Sequence, residues 1–127
     1  MSDRPTLLVV DDDEPNRDLV RRAFREVYDG LEAGDAENAL VIVESGKKVD
    51  VIICDQMMPG TKGTVFLQEL RRRGVRIPAI LVTAFEHLSA IDEARRAADI
   101  VAVLDKPLVL GELKKAIEAA LTRATSP

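Results

Sequence analysis

Tryptophan is absent from this 127-residue sequence, and three Phe and one Tyr bring the aromatic fraction to only 3%. Aliphatic side chains must therefore fill the core, which suits a parallel sheet covered on both faces. Cysteine occurs once, at Cys54, which excludes an internal disulfide framework and fits a reducing compartment. Inside an apolar run, Cys54 reads as a small core residue rather than a reactive thiol. The single histidine, His87, has no second His or Cys nearby and reads as a surface residue rather than a metal ligand. No apolar run approaches the ~18 residues of a membrane span. Met1 to Pro5 lacks the apolar stretch of a signal peptide, so the expectation is a soluble, cytoplasmic protein without a membrane partner. An excess of positive charge is also missing, with 18 Lys and Arg against 22 Asp and Glu. That balance argues against direct nucleic-acid binding, which draws its affinity from clustered cations. The run Arg71-Arg72-Arg73 precedes Gly74 at the end of a predicted helix, where cations complement the macrodipole, and reads as a solvated helix end.

What is present is a globular composition, 46% hydrophobic and 31% charged, in a length that suits one domain. Its core is expected over about residues 6–124, with short tails or a truncated linker at each end. Strand-like apolar runs alternate with helical patterns five times, which predicts an α/β fold of right-handed βαβ crossovers around a parallel sheet. Helix one is predicted from Pro15 to Tyr28, with proline near its start and Leu19, Val20, Ala23, Phe24 and Val27 on one face. Gly30 to Ala33 reads as a short edge strand. Asp35 should cap a second helix that packs through Ala36, Ala39, Leu40 and Val43 and ends at Gly46. A third helix carries Val65, Phe66, Leu67 and Leu70, a fourth runs over about residues 88–98, and a fifth buries Leu110, Leu113, Ile117 and Leu121.

Chemistry gathers at the strand ends. Asp55 follows Val51-Ile52-Ile53-Cys54, and Asp11-Asp12-Asp13 closes Leu7-Leu8-Val9-Val10. In an open parallel sheet, ligands bind outside the carboxyl ends of the strands, and carboxylates gathered there repel one another unless a cation or proton intervenes. Thr83 ends the run from Pro78, and Asp105-Lys106-Pro107 ends the run from Ile100. Taken singly, Asp13 and Glu14 serve a helix N-terminus, Thr83 reads as an ordinary strand residue and Lys106 as a solvated loop charge. Their joint placement favours a site.

The blocks Leu-Val-Val-Asp11-Asp12-Asp13-Glu-Pro, Val-Ile-Ile-Cys-Asp55-Gln-Met-Met-Pro59-Gly60, Leu-Val-Thr83-Ala84 and Asp-Lys106-Pro107 resemble the receiver domain of two-component response regulators, of the chemotaxis-regulator-like kind. The resemblance runs from about Thr6 to Ala124. It implies a flavodoxin-like, doubly wound five-stranded parallel sheet of order 2-1-3-4-5 with helices on both faces. It implies that Asp55 accepts a phosphoryl group from a histidine kinase or phosphotransfer protein. By the same resemblance Mg²⁺ is held by Asp11, Asp12, Asp55 and the backbone carbonyl of Met57, Thr83 and Lys106 bind the phosphoryl oxygens, and Lys106-Pro107 holds a cis peptide, as in relatives. The chain would then be a switch with self-catalysed phosphorylation and dephosphorylation rather than a metabolic enzyme. It would act on a downstream effector or a missing C-terminal output domain, as a monomer or a weak phosphorylation-dependent dimer. Two rival readings are a phosphorylation-independent pseudo-receiver and an Mg²⁺-dependent phosphohydrolase. The intact set Asp12, Asp55, Thr83 and Lys106 argues against the first, and Met57 stands where the second usually carries an acid. Three positions depart from the family pattern: Val103 in place of an aromatic, Lys62 in place of an acid before Gly63, and Ala98-Asp99-Ile100 before the last strand. They put in doubt the usual route from phosphorylation to the surface of the fourth helix, fifth strand and fifth helix. The residues beside the phosphoryl group would be Met57 and Phe85, whose bulk is expected to slow hydrolysis.

Overall fold

A computed structural model of the chain describes residues 4–84 and 99–125. The expectations for Phe85, His87 and the fourth predicted helix lie outside the described residues.

Five parallel strands, β1 (Thr6–Val10), β2 (Asp29–Ala33), β3 (Val51–Asp55), β4 (Ala79–Thr83) and β5 (Ile100–Asp105), form one sheet of order β2-β1-β3-β4-β5. The described helices are α1 (Glu14–Phe24), α2 (Ala36–Glu44), α3 (Gly63–Arg72) and α4 (Leu110–Thr125). Successive strand residues point to opposite faces, and both faces are buried. Leu8, Val10, Ile52, Cys54, Ala79 and Leu81 pack with Ala39, Phe66, Leu67 and Leu70 of α2 and α3. Leu7, Val9, Val51, Ile53, Ile80 and Val82 pack with Val20 and Phe24 of α1 and with Leu113, Ala116 and Ile117 of α4. The near-continuous apolar strands are thus explained by coverage on both sides.

Between β4 and β5 the register shifts: Ala79 opposes Ile100, but Ile80 opposes Ala102, so Val101 is an extra residue. The bulge restores the alternation, which places Val103 against the α2–α3 core and Leu104 against the α1–α4 core. It also sets Asp105 opposite Thr83, so that Lys106 emerges beside the other strand ends. Asp99 joins this arrangement at the opposite edge, where its carboxylate takes Arg76 at 2.9 and 3.3 Å.

Several predicted features recur. Asp35 caps α2 by accepting from Asn38 N–H at 2.8 Å. Gly46, past the end of that helix, has φ +88°, a conformation that costs glycine little. Arg72 and Arg73, read as a solvated helix end, pair with Glu69 on their own helix, and Arg73 also reaches Glu44 of α2. Helix one requires a correction: it begins at Glu14 and ends at Phe24, four residues before Tyr28. The chain turns there, with Tyr28 N–H donating to Phe24 O at 2.8 Å and the Arg4 guanidinium donating to the Tyr28 and Arg25 carbonyls. Tyr28 still reaches the core, 6.0 Å from Phe24 between ring centroids, whereas Val27 points outward, as do Leu19 and Ala23 of the helix itself. Val65 of α3 is exposed as well. The apolar stripes of α1 and α3 are narrower than the sequence implied, whereas Ala36, Ala39, Leu40 and Val43 of α2 and Leu110, Leu113, Ile117 and Leu121 of α4 pack as expected.

Candidate functional site

The sheet edge at the C-terminal ends of the strands gathers all of the ionisable candidates. Asp55, the last residue of β3, is only 4% exposed; Thr83, the last of β4, is fully buried. Asp11 is half-buried at the end of β1, and Asp12 is exposed beside it. Carboxylate oxygens of Asp11, Asp12 and Asp55 lie within 4.8 Å of one another. Lys106 reaches in from the β5 end, its Nζ 2.8 Å from Asp55 Oδ1, while its own N–H is anchored on Thr83 O at 3.0 Å. The Lys106-Pro107 peptide is cis.

The electrostatics follow from this crowding. Burial pushes the Asp11 carboxyl above its ordinary value, and the neighbouring charges of Asp55 and Asp12 push the same way, against a hydrogen bond from Asp13 N–H and the charge of Lys106. Burial acts to lower the Lys106 ammonium, but the hydrogen bond and charge of Asp55, with Asp11 and Asp12 behind it, outweigh it and hold the group above its usual range. A site that raises both an acid and a base is short of positive charge. Its donors are all oxygen, which suits a hard divalent cation such as Mg²⁺. Beside the carboxylates opens a cavity of about 250 Å³, where Asp11, Asn16, Asp55 and Lys106 meet an apolar wall that includes Leu19 and Leu108.

Asp11 is held through both its backbone and its carboxylate. Asp11 N–H donates to Ala33 O at 3.1 Å, its carboxylate accepts from Asp13 N–H at 2.9 Å, and its carbonyl accepts from Arg17 Nη1 at 2.6 Å. Arg17 is in turn fixed by Glu32 of β2 at 3.0 Å. Cys54 sits beneath Asp55, wholly buried. Burial first, and then the charges of Asp55 and Asp11, drive its thiol far above the usual range, consistent with a core residue.

Sequence reasoning found Asp11, Asp12, Asp55, Thr83 and Lys106, and the structure brings them to one place. Met57 follows in the β3–α3 loop with its side chain half exposed. Gln56, Gly63, Thr64, Asn16 and Arg17 were missed. Gln56 is buried, and its side chain, not that of the N-cap Lys62, caps α3. A glutamine between Asp55 and the apolar Met57-Met58 was the one signal available. A Cβ on Gly63 would lie 2.4 Å from the Asp55 carbonyl oxygen, so glycine there reflects close approach of α3 to β3.

A family model described as the response regulator receiver domain matches residues 7–118. The hydrogenase transcriptional regulatory protein HoxA of Cupriavidus necator is 34% identical over 124 residues, which cover 94% of this chain and 26% of that protein. The chain therefore spans about a quarter of that relative's length. Among solved structures, the receiver domain of the Francisella response regulator 1452 superposes with a TM-score of 0.86 at 28% identity, covering 96% of this chain and all of that one. The Thermotoga maritima response regulator TrrA, in complex with Mg²⁺ and beryllofluoride, gives 0.80 at 32% identity and covers 92% of this chain and 99% of that one.

Proposed function

The chain belongs to the response regulator receiver domain family, and from that membership we propose that Asp55 accepts a phosphoryl group from a histidine kinase or histidine phosphotransfer protein. The observation that carries this reading is the buried Asp55 carboxylate with an ammonium at 2.8 Å and two further acids within 4.8 Å, at the strand ends of a parallel sheet. A carboxylate oxygen of Asp55 attacks phosphorus; the phosphorus–nitrogen bond of the donor breaks, and the imidazole leaves with the bonding pair. The product is a mixed anhydride, an acyl phosphate.

The protein contributes placement and charge. Lys106 holds Asp55 in one orientation and then faces a phosphoryl oxygen, while the Thr83 hydroxyl, at the end of the neighbouring strand, donates to another. Asp11, Asp12, Asp55 and the Met57 backbone carbonyl would hold Mg²⁺, which when bound neutralises charge on the carboxylates and the transferred group. That TrrA binds Mg²⁺ and beryllofluoride supports the same use of this edge. The signal passes to a downstream effector or an output domain, as the regulatory relatives suggest. Intact-mass measurement after incubation with Mg²⁺ and a small phosphodonor tests the assignment. The parent should gain one phosphoryl group and Asp55→Asn none; a variant labelled as fully as the parent places the acceptor elsewhere.

A further inference from the structure

Gln56 stands out because it is a polar side chain, 6% exposed, directly after the acceptor. It makes four hydrogen bonds. Its N–H donates to Val82 O at 2.9 Å and its carbonyl accepts from Gly63 N–H at 3.0 Å. Its Oε1 accepts from Thr64 N–H at 2.8 Å, and its Nε2 donates to Thr64 Oγ1 at 3.2 Å. The first bond ties the end of β3 to β4, and the other three tie it to the first turn of α3. The loop of residues 57–62 is thereby closed at its base, with Met57 as its first residue. The helix start needs this tie, because the N-cap Lys62 offers no side-chain bond. Gly63 in turn lies against the Asp55 carbonyl so closely that a methyl group has no room.

We propose that Gln56 is a positioning residue: its amide latches α3 to the end of β3, and through that latch fixes the Met57 carbonyl and Asp55 in the geometry that Mg²⁺ needs. The inference rests on the receiver reading above. An amide is required because one end must accept from a backbone N–H and the other must donate to a hydroxyl. An aliphatic side chain would leave the Thr64 N–H and hydroxyl buried without their partner. Groups that orient metal ligands from behind commonly change metal affinity by about 10- to 100-fold when removed.

Calorimetric titration of Mg²⁺ into the unphosphorylated protein, paired with thermal unfolding in chelator, tests the latch. Gln56→Leu should weaken Mg²⁺ binding about tenfold while unfolding stays cooperative. Thr64→Val, which removes only the hydroxyl partner, should weaken it about threefold, the effect of one neutral hydrogen bond. A Gln56→Leu protein that melts lower but binds Mg²⁺ as the parent does overturns the proposal, since the amide would then serve stability alone. If Gln56→Leu does not fold, Thr64→Val decides: weakened binding supports the latch and parental affinity overturns it. Absence of Mg²⁺ binding in the parent would instead overturn the metal assignment itself, and the latch with it.

Discussion

Alanine at Gly63 and at Gly111 should have opposite effects, although both glycines lie in the first turn of a helix. Alanine removes backbone freedom from the unfolded chain and commonly stabilises a helical site by about 0.4–1 kcal/mol where the conformation permits. Gly111 permits it, since a Cβ there meets nothing within 4 Å. At Gly63 the new methyl group would lie 2.4 Å from Asp55 O and 3.1 Å from both Asp55 C and Cys54 Sγ. Carbon and oxygen approach to about 3.3 Å even in the closest favourable contacts, so the first of these contacts is short by about 0.9 Å. The obstacle is backbone of a central strand, which cannot rotate away; overpacking of this kind costs about 1–3 kcal/mol. Gly63→Ala should therefore lower the melting temperature by several degrees and Gly111→Ala raise it by a few, at the ~4 °C per kcal/mol expected of a domain this size. Because the clash falls on the peptide of Asp55, Gly63→Ala should also slow phosphoryl labelling, read by intact mass, while Gly111→Ala leaves it unchanged. A Gly63→Ala protein as stable as the parent would refute the argument that close approach fixes this glycine.

Two further outcomes are expected. Asp12→Ala should raise the melting temperature in chelator, because it relieves repulsion with Asp11 and Asp55, and should abolish the upward shift on adding Mg²⁺; a retained shift removes Asp12 from the metal site. The hydrogen bonds of Arg72 and then Arg73 hold the Glu69 carboxyl at about 2, below its ordinary 4.5. A depressed pKa contributes stability above the unfolded value that is lost as pH falls through the folded one. The difference in melting temperature between the parent and Glu69→Gln should thus be full at pH 6, close between about pH 5 and pH 2, and shrink in high salt. A gap that does not change with pH would show that this ion cluster contributes nothing to stability.

The strands and the acids that end them were legible because each is a local signal. An apolar run of four or five residues followed by Asp or Thr needs no partner to be recognised, and alternation with helical patterns dictates a parallel sheet. Helix margins were less legible. Val27 continues the periodic face of α1, but the chain turns after Phe24, where the Arg4 guanidinium takes the Arg25 and Tyr28 carbonyls and the Pro5 carbonyl takes Asp29 N–H from elsewhere in the fold. Val65 likewise fits the apolar pattern of α3 yet faces outward.

The order of elements and the aliphatic two-sided core are legible in the chain because composition and period act over a few residues, and the same local patterns put Asp11-Asp12-Asp13, Asp55, Thr83 and Lys106 at strand ends. The resemblance to receiver domains is what singled out Asp11 and Asp12 among the acids. Tertiary packing sets how these meet. The extra residue Val101 sets Asp105 opposite Thr83 and so brings Lys106 to 2.8 Å from Asp55, and nothing in Ile100-Val101-Ala102 marks a bulge. It also decided that Gln56 caps α3 and that Arg17 braces Asp11. Those roles depend on partners distant in sequence or on an adjacent element, and a hydrogen bond across elements exists only once packing has fixed the distance between them.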